Sequence, residues 1–211
     1  AFGWVTVMTL HQAEAPLTLI VIRVLVLFPT VVALPVLVQS YLLTLRVAAA
    51  DALVDPLTRL HNRRGLDAEL VELALEASSP VGVLAIDIDK FKAINDGHGH
   101  DTGDRVIVAV ANATRDTVAA LDVAAVIART GGEEFVVIVC AEPFTASRLA
   151  DLLHDAVARI DTAVVPTVSI GLAISGWADD GIRGLIERAD AAMYAAKNSG
   201  GGQTVLAAGV P

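Results

Sequence analysis

Cysteine is nearly absent from this chain: Cys140 is the only one, so no disulfide can close within it and the sequence suits a reducing compartment. Set in an apolar run, Cys140 reads as a packing residue and not a nucleophile. Aromatic residues are scarce at 4%, and Trp4 and Trp177 stand too far apart in sequence to suggest a base-stacking array. Basic residues are outnumbered, with 15 Lys and Arg against 24 Asp and Glu and a net charge of -9. That balance argues against nucleic-acid binding, which needs cationic surface to displace counterions. Any nucleotide handled here is expected to arrive with a divalent cation. His11, His61, His98 and His154 show no paired metal-ligand spacing, and there is no internal repeat and no basic, short signal-peptide pattern. Charge is also missing from the first fifty residues, where only Glu14, Arg23 and Arg46 carry it.

The chain therefore divides into an apolar front, 1–46, a short Ala-rich connecting helix expected over 47–54, and an acidic remainder, 55–208. From Val24 to Leu45 there is no charge. At about 1.5 Å per residue this run is long enough for a hydrocarbon core of roughly 30 Å. A transmembrane helix is expected, kinked at Pro29 and Pro35, with Arg46 on the cytoplasmic side. Phe2 to Leu10 resembles the tail of a preceding span, and His11 to Pro16 a short turn. The competing reading is a buried helix, or two β-branched strands, of a soluble domain, since Arg23 is awkward in lipid.

Beyond Asp55-Pro56, a helix-stop signal, hydrophobic periodicity predicts helices over Leu66–Ala77, Thr102–Leu121, Thr145–Ile160 and Ile182–Lys197. Strands are predicted at Val81–Ile88, Ala124–Ala128, Phe135–Cys140, Thr167–Ile174 and Gln203–Ala207. The order predicts an α/β (α+β) domain of ferredoxin-like, palm type. Its central antiparallel sheet carries its helices on one face.

Asp87 and Asp89 end the apolar Val81–Ile88 run, and strand alternation points both to one face. Two neighbouring carboxylates repel, so one must be protonated, solvated or metal-bound. Glu133 and Glu134 follow a Gly-Gly turn. If the two strands pair, three or four carboxylates meet at one sheet edge, a donor set suited to Mg2+ or Mn2+. Taken singly, each feature has a plainer explanation as a strand-end pair, a hairpin or a solvated charge run.

Together they form a longer pattern. Gly131-Gly132-Glu133-Glu134-Phe135 resembles the signature of the GGDEF family in its Glu-for-Asp form. Asp55-Pro56-Leu57-Thr58-Arg59-Leu60-His61-Asn62-Arg63-Arg64 is similar to that family's opening motif, with Arg59 where glycine is usual. Asp87 to Asp96, Gly99-His100, Gly103-Asp104, Val168 to Gly171 and Arg188 to Lys197 continue the likeness, which runs from about Asp51 to Leu206. The resemblance implies a diguanylate cyclase, joining two GTP molecules into cyclic di-GMP between the subunits of a homodimer. It implies metal ligation by Asp87, the Ile88 carbonyl and Glu133, and guanine recognition by Asn95 and a buried Asp104. It further implies phosphate contacts from the Phe91 and Lys92 amides and from Lys197. Glu134 is the candidate to assist deprotonation or metal binding. The expected location is the bacterial inner membrane, with the catalytic domain in the cytoplasm.

Two departures stand out. Where many family members carry an Arg-x-x-Asp product-inhibition site, this chain has Asp122, Val123, Ala124 and Ala125, so no inhibition through that segment is expected. Where an arginine usually follows the last helix, Gly201 stands. A domain that binds GTP or cyclic di-GMP as a regulator without turnover is therefore the alternative, and a cyclase making a cyclic mononucleotide is a third reading.

Overall fold

The computed structural model describes residues 17–19, 21, 22, 25, 33–76, 80–175 and 181–208. The chain divides into two units, Ala1–Asp51 and Ala52–Pro211. In the first, helix α1 (Leu34–Asp51) begins with Pro35 in its opening turn, where a missing N–H costs nothing. It continues to Asp51, so residues 47–51 belong to this helix and not to a separate connecting one. Leu34, Leu37, Tyr41 and Leu43 are all exposed. Among the described residues no helix is long and apolar enough to cross a membrane. The run expected to do so, Val24–Leu45, lies partly outside the described residues, and the segments 2–10 and 11–16 lie wholly outside them.

The second unit is built on six strands: β1 (His61–Asn62), β2 (Val81–Ile88), β3 (Ala125–Arg129), β4 (Glu134–Cys140), β5 (Val168–Ile174) and β6 (Thr204–Leu206). Their spatial order is β1-β3-β4-β2-β5-β6. The four central strands are antiparallel, but β1 runs parallel to β3 and β6 parallel to β5. The sheet is thus mixed, not purely antiparallel. Every residue of β2 is buried, because it is the strand flanked by both β4 and β5 and covered on both faces. That is why its sequence is a continuous apolar run with no alternation.

Helices cover both faces, correcting the one-sided arrangement that the element order suggests. One face packs Leu84, Ile86 and Ile88 against α4 (His100–Ala120) and α5 (Pro143–Val157). The other packs Val81, Val83 and Ala85 against α2 (Arg63–Glu76) and α6 (Gly181–Asn198). Period-2 alternation in β2 sorts these residues, each Val, Leu or Ile side chain contributing about 1.5–3 kcal/mol when fully buried. An additional short helix, α3 (Phe91–His98), precedes α4 and is separated from it by Gly99 at φ 81, a positive-φ conformation that glycine adopts without strain.

The segment after Asp51 is tied to the sheet by polar contacts. Asp55 accepts hydrogen bonds from the Thr58 amide and hydroxyl at 2.8 and 2.7 Å and from Arg129 at 3.1 Å to each oxygen. Burial alone would raise the Asp55 carboxyl, but the Thr58 and Arg129 contacts outweigh it and hold the group below its ordinary value. Arg59 sits in the same turn at φ 61, a conformation that costs a residue with Cβ about 1–2 kcal/mol. Arg59→Gly is expected to raise stability by about 0.5 to 1 kcal/mol in urea unfolding. A loss of stability would mean that the arginine side chain holds this turn in some other way.

Candidate active site

The C-terminal end of β2 and the start of β4 meet at one end of the sheet, where Asp87 pairs in register with Glu134. The hairpin before β4 is closed by Thr130 and Gly131 amides donating to the Glu134 carbonyl at 2.9 and 3.4 Å. Arg129 braces it, donating to the Gly132 carbonyl at 3.1 and 2.7 Å through Nε and Nη2 while its Nη1 holds Asp55. The sequence gives no sign of this double role. Arg129 is one more alternating residue of β3, and its partners lie in a turn and in a distant segment.

Asp87 is only 2% exposed. The Lys197 ammonium, from the last turn of α6, stands 2.8 Å from Asp87 Oδ1. This is an ion pair off the hydrogen-bond axis, for Oδ1 has no aligned donor. Burial pushes the Asp87 carboxyl above its ordinary value. The Lys197 contact opposes that rise, and the Glu134 and Asp89 charges add to it. Glu133 is raised as well, by burial first and then by the Asp87 charge. Burial would lower the Lys197 ammonium, but Asp87, Glu133 and Asp89 together outweigh it and leave it raised.

Asp89 is not part of this group. Its oxygens accept from Thr167, Ser169 and the Gly202 amide, so of the expected three or four carboxylates Asp87, Glu133 and Glu134 are the ones gathered at this edge. Among the described residues no three His, Cys, Asp or Glu side chains are arranged to hold a metal ion. The expected ligands Asp87 and Glu133 lie beside the main chain of Ile88, whose amide donates to the Glu133 carbonyl at 3.3 Å, with Glu134 next to them on β4. An all-oxygen set, its buried Asp87 carboxylate already facing one cationic group in Lys197, fits a hard divalent cation that takes its other ligands from water and phosphate.

The other expected residues lie on α3 and α4. Phe91 is buried and Lys92 exposed, and their amides open α3 ahead of its internal ladder. Asn95 faces α4, its Oδ1 buried without a partner. A Cβ at Gly103 would collide with that oxygen, so glycine is what lets the amide lie against the α4 backbone. Asp104 is exposed, not buried as expected, and its carboxylate is open to solvent or ligand.

A cleft of about 530 Å³ runs alongside this edge between α2 and α6, with Arg63, Glu134, Asp190 and Tyr194 in its walls. Asp190 is reached by water yet lies in the concave cleft. Burial raises its carboxyl, and Glu134 raises it further. Asp190 falls within the Arg188 to Lys197 likeness without a role read from it, and the cleft is not signalled by the sequence, since its wall is assembled from helices more than a hundred residues apart.

The chain matches the family described as "Diguanylate cyclase, GGDEF domain" over residues 52–203. It is 41% identical over 165 residues to the response regulator PleD of Caulobacter vibrioides, an alignment covering 71% of this chain and 35% of PleD. Among solved structures it resembles the coiled coil and GGDEF domain of DgcB from Caulobacter crescentus in complex with c-di-GMP. That likeness has a TM-score of 0.72 and 31% identity, over 86% of this chain and 99% of that one. It also resembles the active GGEEF domain of a diguanylate cyclase from Vibrio cholerae, with a TM-score of 0.64 and 29% identity, over 71% and 98% of the two chains. The chain belongs to the GGDEF diguanylate cyclase domain family. It spans about a third of the length of PleD.

Proposed function

We infer that this chain condenses two GTP molecules into cyclic di-GMP, releasing two pyrophosphates, as a homodimer in which each subunit presents one GTP. The observation that carries the reading is the buried Asp87 beside Glu133, with the Lys197 ammonium 2.8 Å from it, in a chain of this family.

In each half-reaction the 3′-hydroxyl oxygen of one GTP forms a bond to the α-phosphorus of the other. The bond from that phosphorus to the bridging oxygen breaks, and pyrophosphate leaves with the electron pair. Asp87, Glu133 and the Ile88 carbonyl would hold Mg2+ or Mn2+, which when bound lowers the pKa of the hydroxyl and offsets charge on the α-phosphate. Lys197 neutralises Asp87 in the free chain. In the complex it turns to the β- and γ-phosphates, which the Phe91 and Lys92 amides also contact. Glu134 takes the hydroxyl proton or helps hold the cation. The Asn95 amide and the Asp104 carboxylate read the guanine edge, and a polar site of this kind rejects adenine by leaving its groups unpaired. Most of the rate enhancement then comes from positioning and fixed charge.

The apolar front is assigned as a membrane anchor, which keeps the catalytic domain at the cytoplasmic face of a bacterial inner membrane. Its support is the uncharged run and the exposed Leu and Val side chains of α1. The segment at Asp122 to Ala125 has no arginine to grip a guanine or phosphate, so no product inhibition is expected there. A second reading, a GTP or cyclic di-GMP binding regulator, draws on one observation: the turn after α6 offers no basic side chain to the phosphates. Incubation of the dimerised chain with GTP and Mg2+ separates the two. Cyclic di-GMP is the expected product; its absence under forced dimerisation would leave the regulator, and a cyclic mononucleotide would replace both.

A further inference from the structure

Lys197 lies one residue before the end of α6, and the chain must then reverse to form β6. It does so through Gly200, Gly201 and Gly202, at φ 114, 76 and 64. The Asp89 carboxylate sits inside that reversal. Its Oδ2 accepts from the Gly202 amide at 2.7 Å and from the Thr167 hydroxyl at 2.7 Å, and its Oδ1 from the buried Ser169 hydroxyl at 2.6 Å. The Asp89 amide donates to the Thr167 carbonyl at 2.9 Å. One side chain thus joins the end of β2, the start of β5 and the turn after α6, through short charge-assisted bonds of the stronger kind. The fit is close: a Cβ at Gly201 would stand 2.7 Å from Asp89 Oδ1, so any side chain there displaces the carboxylate or the turn.

We propose that Asp89 is a positioning residue that clamps the glycine turn after α6 and thereby holds the Lys197 ammonium at Asp87, where it meets the phosphates of GTP. Helix ends lack partners for their last carbonyls and fray unless something outside the helix holds them. Here the Ser199, Gly200 and Gly201 amides close the final turn onto Ala195, Lys197 and Ala196 carbonyls, and the Gly202 amide leaves the helix for Asp89. Gln203 also reaches the helix end, its Nε2 donating to the Ala196 carbonyl at 3.1 Å, but the carboxylate is the contact that ties the glycine turn itself to β2 and β5, and Lys197 lies at its start. Three of the roughly four acceptor sites of the Asp89 carboxylate are taken up by the chain, so its geometry is set by the clamp. Its part in GTP binding rests on the reading given above, whereas the clamp itself stands without it.

The test has a nucleotide-free arm and a nucleotide arm. In Asp89→Ala, hydrogen exchange at the Ser199 to Gly202 amides is expected to quicken about tenfold or more while the β4 amides keep their protection. Unchanged exchange at the turn overturns the clamp. A fluorescent GTP analogue with Mg2+ is expected to bind about tenfold more weakly to Asp89→Ala and to Lys197→Met. The double variant should be no weaker than the worse single, because both changes remove one interaction. Asp89→Asn keeps an acceptor for the Gly202 amide and should restore most of the affinity, and Gly201→Ala should imitate Asp89→Ala. Additive losses in the double variant, or a shift in Mg2+ dependence with nucleotide affinity unchanged, would assign Asp89 a different role and overturn the proposal. Tight analogue binding without cyclic di-GMP formation would defeat the cyclase reading alone.

Discussion

Asp87→Asn is expected to lower kcat for cyclic di-GMP formation by about 10³-fold or more, through loss of the charge that, in the proposed reaction, would hold a divalent cation against the α-phosphate. The fold should survive. Burial is the largest influence on Asp87 and keeps its carboxyl above the ordinary value, so the ionised form is disfavoured in the folded chain relative to the unfolded one. For an acid raised in this way, replacement by a neutral isostere relieves a cost present at neutral pH. The melting temperature of Asp87→Asn should therefore equal or exceed that of the parent, the usual exchange of stability for function at a charged site. Lys197, left without its partner, is about a third exposed and can turn to water. Activity above a tenth of the parent would remove Asp87 from the reaction, and a collapsed melting temperature would make the loss of activity uninformative about chemistry.

Gly171→Val should do the opposite, costing about 4 kcal/mol or more of stability in urea unfolding and taking nucleotide binding with it. Gly171 lies in the middle of β5, paired with Ala85 on one side and Val205 on the other. A Cβ there would run into the Ala189 carbonyl, the Met193 amide and the Ala192 carbonyl carbon, all backbone atoms of α6. Side chains can rotate away from an intruder, but a helix backbone cannot yield without moving the whole helix. Moving α6 outward would strip cover from Leu185, Ala189 and Met193 and carry Lys197 off Asp87. A change below about 1 kcal/mol would show that α6 sits more loosely on the sheet than these approaches require.

The parts of this architecture legible in the sequence are those set by local pattern. β2 spans Val81–Ile88 as its apolar run announces, bounded by Pro80 and the acids. The face of α4 formed by Val106, Ile107, Val110, Ala111 and Thr114 is buried as its spacing indicates. The Gly-Gly turn does join β3 to β4. What escaped depends on distance. β1 is two residues long and has no pattern to detect. α3 is split from α4 by one glycine in a stretch where polar and small residues blur the period. Periodicity says that a helix has an apolar face but not which side of the sheet receives it, so the layer of α2 and α6 was misplaced. At the site, the Asp87 and Glu134 strands were brought together by pairing that the motifs imply, whereas Asp89 found its partners 78, 80 and 113 positions away. The open position of Asp104 reflects how α3 and α4 meet, which no single segment encodes.

The sheet separates two apolar layers of unequal size, the larger under α4 and α5 and the smaller under α2 and α6. Asp87 faces the thinner one, and Lys197 belongs to the helix that roofs it. A local melting confined to that roof would carry Lys197 away from Asp87 while the thicker half stayed intact. Chemistry in such a molecule can fail well before the fold does, and whatever steadies or loosens the α6 roof governs output without touching a reacting atom.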